Sequence, residues 1–201
     1  MGLREEKKRR TRAALRHAAL ALFLERGFEQ VTVAEVAAAA GVSVNTAFNY
    51  FPAKEDLFFD RQGEVEAQLA SWVRERTRGR SPSQAVRDGV LRALAEGDPS
   101  IGLSPEAEAY WRTIDASPAL RARSRESSER AEAALAAALA EEAPPDDPLP
   151  RLLAGALAGT FRAVVAEIRQ KLAAGEDVAV VRVEMTGAVQ RMFDALIAAE
   201  D

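Results

Sequence analysis

Apolar positions recur at helical spacing along most of the chain, and no stretch carries the alternation of a half-buried strand. Leu15, Ala18, Ala19, Leu22 and Phe23 mark a first helix, which Gly27 stops. Thr32 followed by Glu35 forms a capping box for a short second helix over residues 33–40. Gly41 breaks it, and Ser43 caps a third helix. That helix ends at Phe51-Pro52, because proline disfavours helical geometry in the residue before it. Pro52 then suits the first turn of a fourth helix carrying Leu57, Phe58, Val65, Leu69 and Trp72, to about residue 78. On that reading Lys54 and Trp72 lie on one rod, about 27 Å apart at 1.5 Å per residue.

Three Ser-Pro pairs, at Ser81, Ser104 and Ser117, each place a capping serine ahead of a proline and predict helices near 82–96, 105–115 and 118–141. Residues 144–148, PPDDP, form a linker. Beyond it, Leu149, Leu152, Leu153, Ala156, Leu157, Phe161, Val164, Val165, Ile168 and Leu172 make one wide apolar stripe, closed by Lys171 and Gly175. Asp177 caps a last helix to about residue 199. The expectation is an all-α chain of about nine helices, the first three short and clustered.

Composition narrows the function. The chain of 201 residues is 48% hydrophobic, enough for a substantial core, and has no cysteine for a disulfide or a thiolate site. The longest uninterrupted apolar runs are far shorter than a bilayer, and the N-terminus is charged, so a cytoplasmic protein without a membrane partner is expected. Net charge is −4, unevenly spread. Residues 1–12 hold six basic groups against Glu5 and Glu6, a local +4. Such a run reads equally as a solvated tail or as a nucleic-acid arm.

The segment GVSVNTAFNYFPAKEDLF, residues 41–58, decides between them. Helix, glycine turn and short helix is the helix-turn-helix arrangement. Counted from Val33, the fifth position is Ala37, small enough for two helices to cross closely, and the ninth is Gly41, free to adopt the left-handed turn. Val36, Ala40, Val42, Ala47 and Tyr50 fall at packing positions, leaving Val44, Asn45, Phe48 and Asn49 outward. A side-chain amide can bond adenine bidentately in the major groove, and apolar atoms can touch a thymine methyl. An ordinary helical hairpin with solvated asparagines would need neither the exposed aromatic nor the basic run upstream.

From Arg12 through Leu15, Phe23, Gly27, Phe28, Thr32, Glu35, Gly41, Ser43, Tyr50, Phe51 and Lys54 to Asp60, the chain resembles the DNA-binding domain of the TetR/AcrR family of transcriptional repressors. The resemblance implies a helix-turn-helix domain over 1–52 and an effector-binding and dimerisation domain over 53–201. It implies a ligand-released homodimeric repressor on a near-palindromic double-stranded operator, with no enzymatic activity and no cofactor. Thr32 and Lys54 match residues that contact phosphates; Val44, Asn45, Thr46 and Asn49 match those facing bases, with Ser43 at the helix start. Phe48 and Tyr50 match positions that touch backbone or thymine methyls, although Phe48 lacks the hydroxyl of the usual tyrosine, and Ala47 is smaller than usual. Arg9, Arg10 and Arg12 belong to the basic arm.

For the remainder, the resemblance implies that the last two helices pair with those of a second subunit, through Leu153, Leu157, Phe161, Val164, Ile168, Met185 and Met192. Gly155 and Gly159 would permit close approach there; an intrachain core helix is the alternative use of the stripe, and two recognition helices on a near-palindrome favour the dimer. An unidentified small-molecule effector is expected in the same domain, with Trp72, Tyr110, Trp111 and Phe161 as lining and Arg112 as an anchor for an acidic group. Catalytic motifs and metal-ligand clusters are absent, and the sole histidine, His17, has no partner placed by spacing. The rival reading is a helical ligand-binding or adaptor protein without operator binding.

Overall fold

A computed structural model describes residues 2–104 and 107–198. Among the described residues there are ten α-helices and no strand. They are α1 (Leu3–Arg26), α2 (Val33–Ala39), α3 (Val44–Tyr50), α4 (Lys54–Phe58), α5 (Gln62–Arg74), α6 (Pro82–Glu96), α7 (Ala107–Ala116), α8 (Pro118–Ala140), α9 (Leu149–Ala173) and α10 (Val178–Ala198). A 3-10 turn, Pro99–Ile101, precedes α7. The chain forms two compact units, one of residues 1–62 with 109–124, the other of residues 63–108 with 125–201.

The caps explain most boundaries. Ser81 accepts from the Gln84 N–H at 3.2 Å while Gln84 returns a bond to the Ser81 N–H at 3.1 Å, so α6 begins as the sequence predicts. Ser117 accepts from Leu120 N–H at 3.2 Å and opens α8. The expected start of α7 at Pro105 lies outside the described residues, as does the expected end of the last helix at residue 199.

Two elements differ from the sequence reading. The basic run upstream of Leu15 is helical: α1 begins at Leu3, with Glu5 and Glu6 in its first turn, where carboxylates favour the helix dipole. The single fourth helix is broken into α4 and α5, and Pro52 lies ahead of it, with Ala53 as N-cap. Phe59 leaves helical geometry at φ −101°, ψ 36°, and Asp60 beyond it is held by Arg12 of α1 at 2.6 Å. Leu57 and Phe58 are meanwhile buried in the first core. Apolar periodicity ran across this junction undisturbed; the polar tether that bends it joins residues 48 apart in sequence.

The first unit packs Leu15, Ala19 and Phe23 of α1 against Phe28, Val31, Val36, Ala37, Ala47, Phe51, Leu57 and Phe58, with Ile114 and Leu120. An aromatic chain runs through it: Phe23 to Phe28 at 5.0 Å, Phe28 to Phe58 at 6.4 Å, and Phe58 stacked on Tyr110 at 4.6 Å. In the second unit, Leu69 and Val73 of α5, Val86, Val90 and Leu94 of α6, Leu135 of α8, Leu157 and Ile168 of α9, and Val181, Met185, Val189 and Phe193 of α10 form the core. At Gly89 the α6 backbone lies directly against the Trp72 indole, where a Cβ would come within 2.2 Å of the ring. By length and composition α9 alone among the described helices is apolar enough to cross a membrane. Here its apolar face is a wall of the helical core, and Arg162 on it pairs with Glu132 at 3.0 Å.

Candidate nucleic-acid interface

Thr32 caps α2 through its hydroxyl oxygen, which accepts from the Glu35 N–H at 3.2 Å. The Thr32 N–H and hydroxyl both donate to the Glu35 carboxylate at 2.8 Å, and Arg26 pairs with the same carboxylate at 2.8 Å. The Thr32 backbone bond, then Arg26 and the Thr32 hydroxyl, hold the Glu35 carboxyl down to about 2. A phosphate taking the Thr32 hydroxyl would therefore displace Glu35 from it.

Val36 and Ala37 bury the inner face of α2, and the turn closes with Val42 N–H donating to Ala37 C=O at 2.9 Å. Gly41 sits at φ +70°, a left-handed conformation that a side chain would strain. Ser43 restarts the chain as a helix: its hydroxyl accepts from Thr46 N–H at 3.1 Å and shares a hydrogen bond with the Thr46 hydroxyl at 2.8 Å. The hydroxyls of Ser43 and Thr46 thus hold each other at the start of α3.

In α3 only Ala47 is fully buried. Ala37 and Ala47 are both inaccessible, and neither carries atoms beyond Cβ to hold α2 and α3 apart. Val44, Asn45, Phe48 and Asn49 are exposed, while Tyr50 is half-buried against the first core. Phe51 ends the helix and is buried, with the Arg12 guanidinium 4.7 Å above its ring. Arg12 is thereby engaged with Phe51 and Asp60, unlike the free arm residue expected of it. Arg9 and Arg10 stand exposed on α1. Lys54 begins α4, and its ammonium lies 4.2 Å from the Phe28 ring and 5.8 Å from that of Phe23. With five residues, α4 supplies only a small dipole to a phosphate there.

The expected effector residues do not share one cluster. Trp72 and Phe161 meet edge to face at 6.1 Å in the second unit. Tyr110 and Trp111, 5.6 Å apart, belong to the first core, where burial pushes the Tyr110 hydroxyl well above its usual range. Arg112 is exposed on α7. A cavity of about 180 Å³ in the second unit is lined by Val73, Arg76, Pro82, Leu139, Leu149 and Leu153 among others, and by none of the expected aromatics.

The expected dimer residues differ in how far the chain's own core covers them. Leu157, Val164, Ile168 and Met185 are buried within the chain itself, and Leu153 and Phe161 are half-buried against that core. Met192 is 47% exposed. Besides Met192, the large apolar side chains these helices leave in solvent are Leu149, Leu152, Val180 and Val183, at 60%, 68%, 50% and 73% exposure. A wide apolar stripe does not reveal which edge the chain's own core takes: Leu152 and Ala156 of that stripe are exposed on α9, while Leu157, Val164 and Ile168 are buried.

Residues 15–60 match the family of bacterial regulatory proteins called the tetR family. The HTH-type transcriptional regulator TcmR of Streptomyces glaucescens is 37% identical over 93 residues, which span 46% of this chain and 41% of TcmR. Among solved structures, NalD, the secondary repressor of the MexAB-OprM multidrug efflux pump in Pseudomonas aeruginosa, superposes with a TM-score of 0.59 at 20% identity, covering 90% of this chain and 96% of that one. Thermus thermophilus FadR, a TetR-family transcriptional repressor in complex with lauroyl-CoA, gives a TM-score of 0.50 at 25% identity over 90% and 92%. Residues 15–60 therefore form a helix-turn-helix domain of the tetR family, and the all-helical fold of the described residues is similar to those of the solved regulators.

Proposed function

We propose that the protein is a homodimeric repressor that binds a near-palindromic operator through α3 and is released by a small-molecule effector. The observation that carries this reading is α3 itself. It is a short helix, capped at Ser43 and set off by the Gly41 turn, whose outer side holds Val44, Asn45, Phe48 and Asn49 in solvent. A helix of that size enters the major groove, and the exposed cations at the start of α1 supply sequence-independent attraction to phosphates. Ser43 and Thr46 position the helix start, Thr32 and Lys54 stand at the ends of flanking helices for backbone contacts, and Tyr50 steadies α3 on its core.

Two-fold pairing would use the outer faces of α9 and α10, because two linked recognition helices are what a near-palindrome requires. The effector belongs to the second unit, which holds both the Trp72–Phe161 pair and the cavity between Val73, Leu139 and Leu153; the lauroyl-CoA bound by FadR supports an apolar ligand as one class to screen. The rod from Lys54 to Trp72 is not continuous, so an effector signal would have to bend through the Phe59–Asp60 junction rather than tilt one rigid helix. Selection of bound sequences from random duplex DNA tests the core of the reading. Enrichment of one inverted repeat is expected, and retention of DNA without enrichment would refute operator recognition.

A further inference from the structure

Among the described residues of the first unit, three large apolar side chains stay exposed, Leu24, Val44 and Phe48, and two of them lie on the seven-residue α3. Val44 is 39% and Phe48 46% exposed, and neither carries a group that can bond a phosphate or a base edge. Each is followed directly by an exposed asparagine, so the helix presents the same pair twice, Val44-Asn45 and Phe48-Asn49, one turn apart.

That repeat matches one base pair and no other. In the major groove an A·T pair shows the adenine N7 acceptor and N6 donor, which an asparagine amide bonds bidentately, together with the thymine 5-methyl group, the groove's one apolar feature. A G·C pair offers no methyl, so beside it Val44 and Phe48 would only displace water from polar edges. Four residues of helix advance about 6 Å, and two base steps advance about 7 Å along one strand. We infer that α3 reads two A·T pairs in each half-site, no more than two steps apart, with Asn45 and Asn49 on adenines and Val44 and Phe48 on thymine methyls.

This rests on the reading of the chain as an operator-binding regulator, and the test separates the two. The operator enriched from random duplexes is remade with single thymine-to-uracil replacements, which remove the methyl and leave every hydrogen-bonding group in place. Binding of the full-length protein is measured by fluorescence anisotropy. Two uracil positions in each half-site should each weaken binding about fourfold, the worth of one buried carbon. In Phe48→Ala one of these penalties should vanish, and in Val44→Ala the other. Both side chains are exposed, and the uracil series on the unaltered protein does not depend on any variant folding. An enriched operator in which no uracil matters, or whose uracil penalties survive both substitutions, overturns the inference alone. Failure to enrich any sequence overturns the regulator reading and this inference with it.

Discussion

Arg12 on α1 holds Asp60 at 2.6 Å, and Asp60 stands at the break between α4 and α5. The carboxylate is only 9% exposed, and Arg16 approaches it at 3.8 Å. The same Arg12 guanidinium covers the Phe51 ring that ends α3. One side chain therefore ties the first helix to both ends of the segment that follows the recognition helix.

Asp60→Ala should accordingly destabilise the first unit by about 1–2 kcal/mol, more than an exposed pair would, because the anion is nearly enclosed. Urea unfolding of the full chain measures it. A double-mutant cycle with Arg12→Ala should show coupling of about 1 kcal/mol. Strict additivity would mean that the ion pair does not hold the junction.

Gly89→Ala reverses an ordinary rule. In the middle of a helix such as α6 this change is worth roughly 0.5–1 kcal/mol in favour of alanine. Here the new methyl would stand 2.2 Å from the Trp72 ring, so the indole or α6 must move. The expected result is a loss of about 1–3 kcal/mol, with a shifted Trp72 emission read in a Trp111→Phe background. In Trp72→Leu the same substitution should become neutral or stabilising. A gain in the unaltered protein would show that the indole does not rest on Gly89.

These cases show where sequence reading succeeds. Capping serines, prolines and glycines act within three or four residues, so the bounds of α6, the start of α8 and the helix-turn-helix itself were legible from local chemistry. The break after Phe58 was not, because its cause is Arg12, remote in sequence and carried on a run read only as charge. Trp72, Tyr110, Trp111 and Phe161 looked alike as aromatics at helical spacing. Only the fold assigns the first and last to one core and the middle two to another. The apolar stripe of α9 was correctly located, but its division into a buried edge and an exposed edge depends on α6 and α10.

That division gives the third prediction. Val183→Glu and Leu152→Glu alter side chains 73% and 68% exposed, so each subunit should keep its helical circular dichroism. If the outer faces of α9 and α10 pair two copies, a charge buried there is strongly unfavourable. Sedimentation should then show monomers with weakened operator binding. Leu157→Glu, at a position with no exposure, should instead unfold the second unit. Dimers that survive both exposed substitutions would rule out this face.

The last prediction concerns acid. Glu35 titrates at about 2 rather than its ordinary 4.5, chiefly because the Thr32 N–H bonds its ionised form, with Arg26 and the Thr32 hydroxyl adding to this. A carboxyl whose pKa is lower in the folded than in the unfolded chain contributes stability that is complete above the unfolded value. That contribution is lost as the pH falls through the folded value. The window is therefore about pH 4.5 down to about 2. Glu35→Gln keeps a group able to accept from Thr32 but removes the charge, so it should be less stable than the parent at pH 6. The two stability curves should converge as the pH drops through that window, and guanidinium-free urea melts at successive pH values would follow it. Added salt should narrow the gap at pH 6, since Glu35 and Arg26 are both exposed and screened. A gap that stays constant from pH 6 to pH 2 would show that the loss comes from packing or geometry, with the charge of the α2 cap contributing nothing.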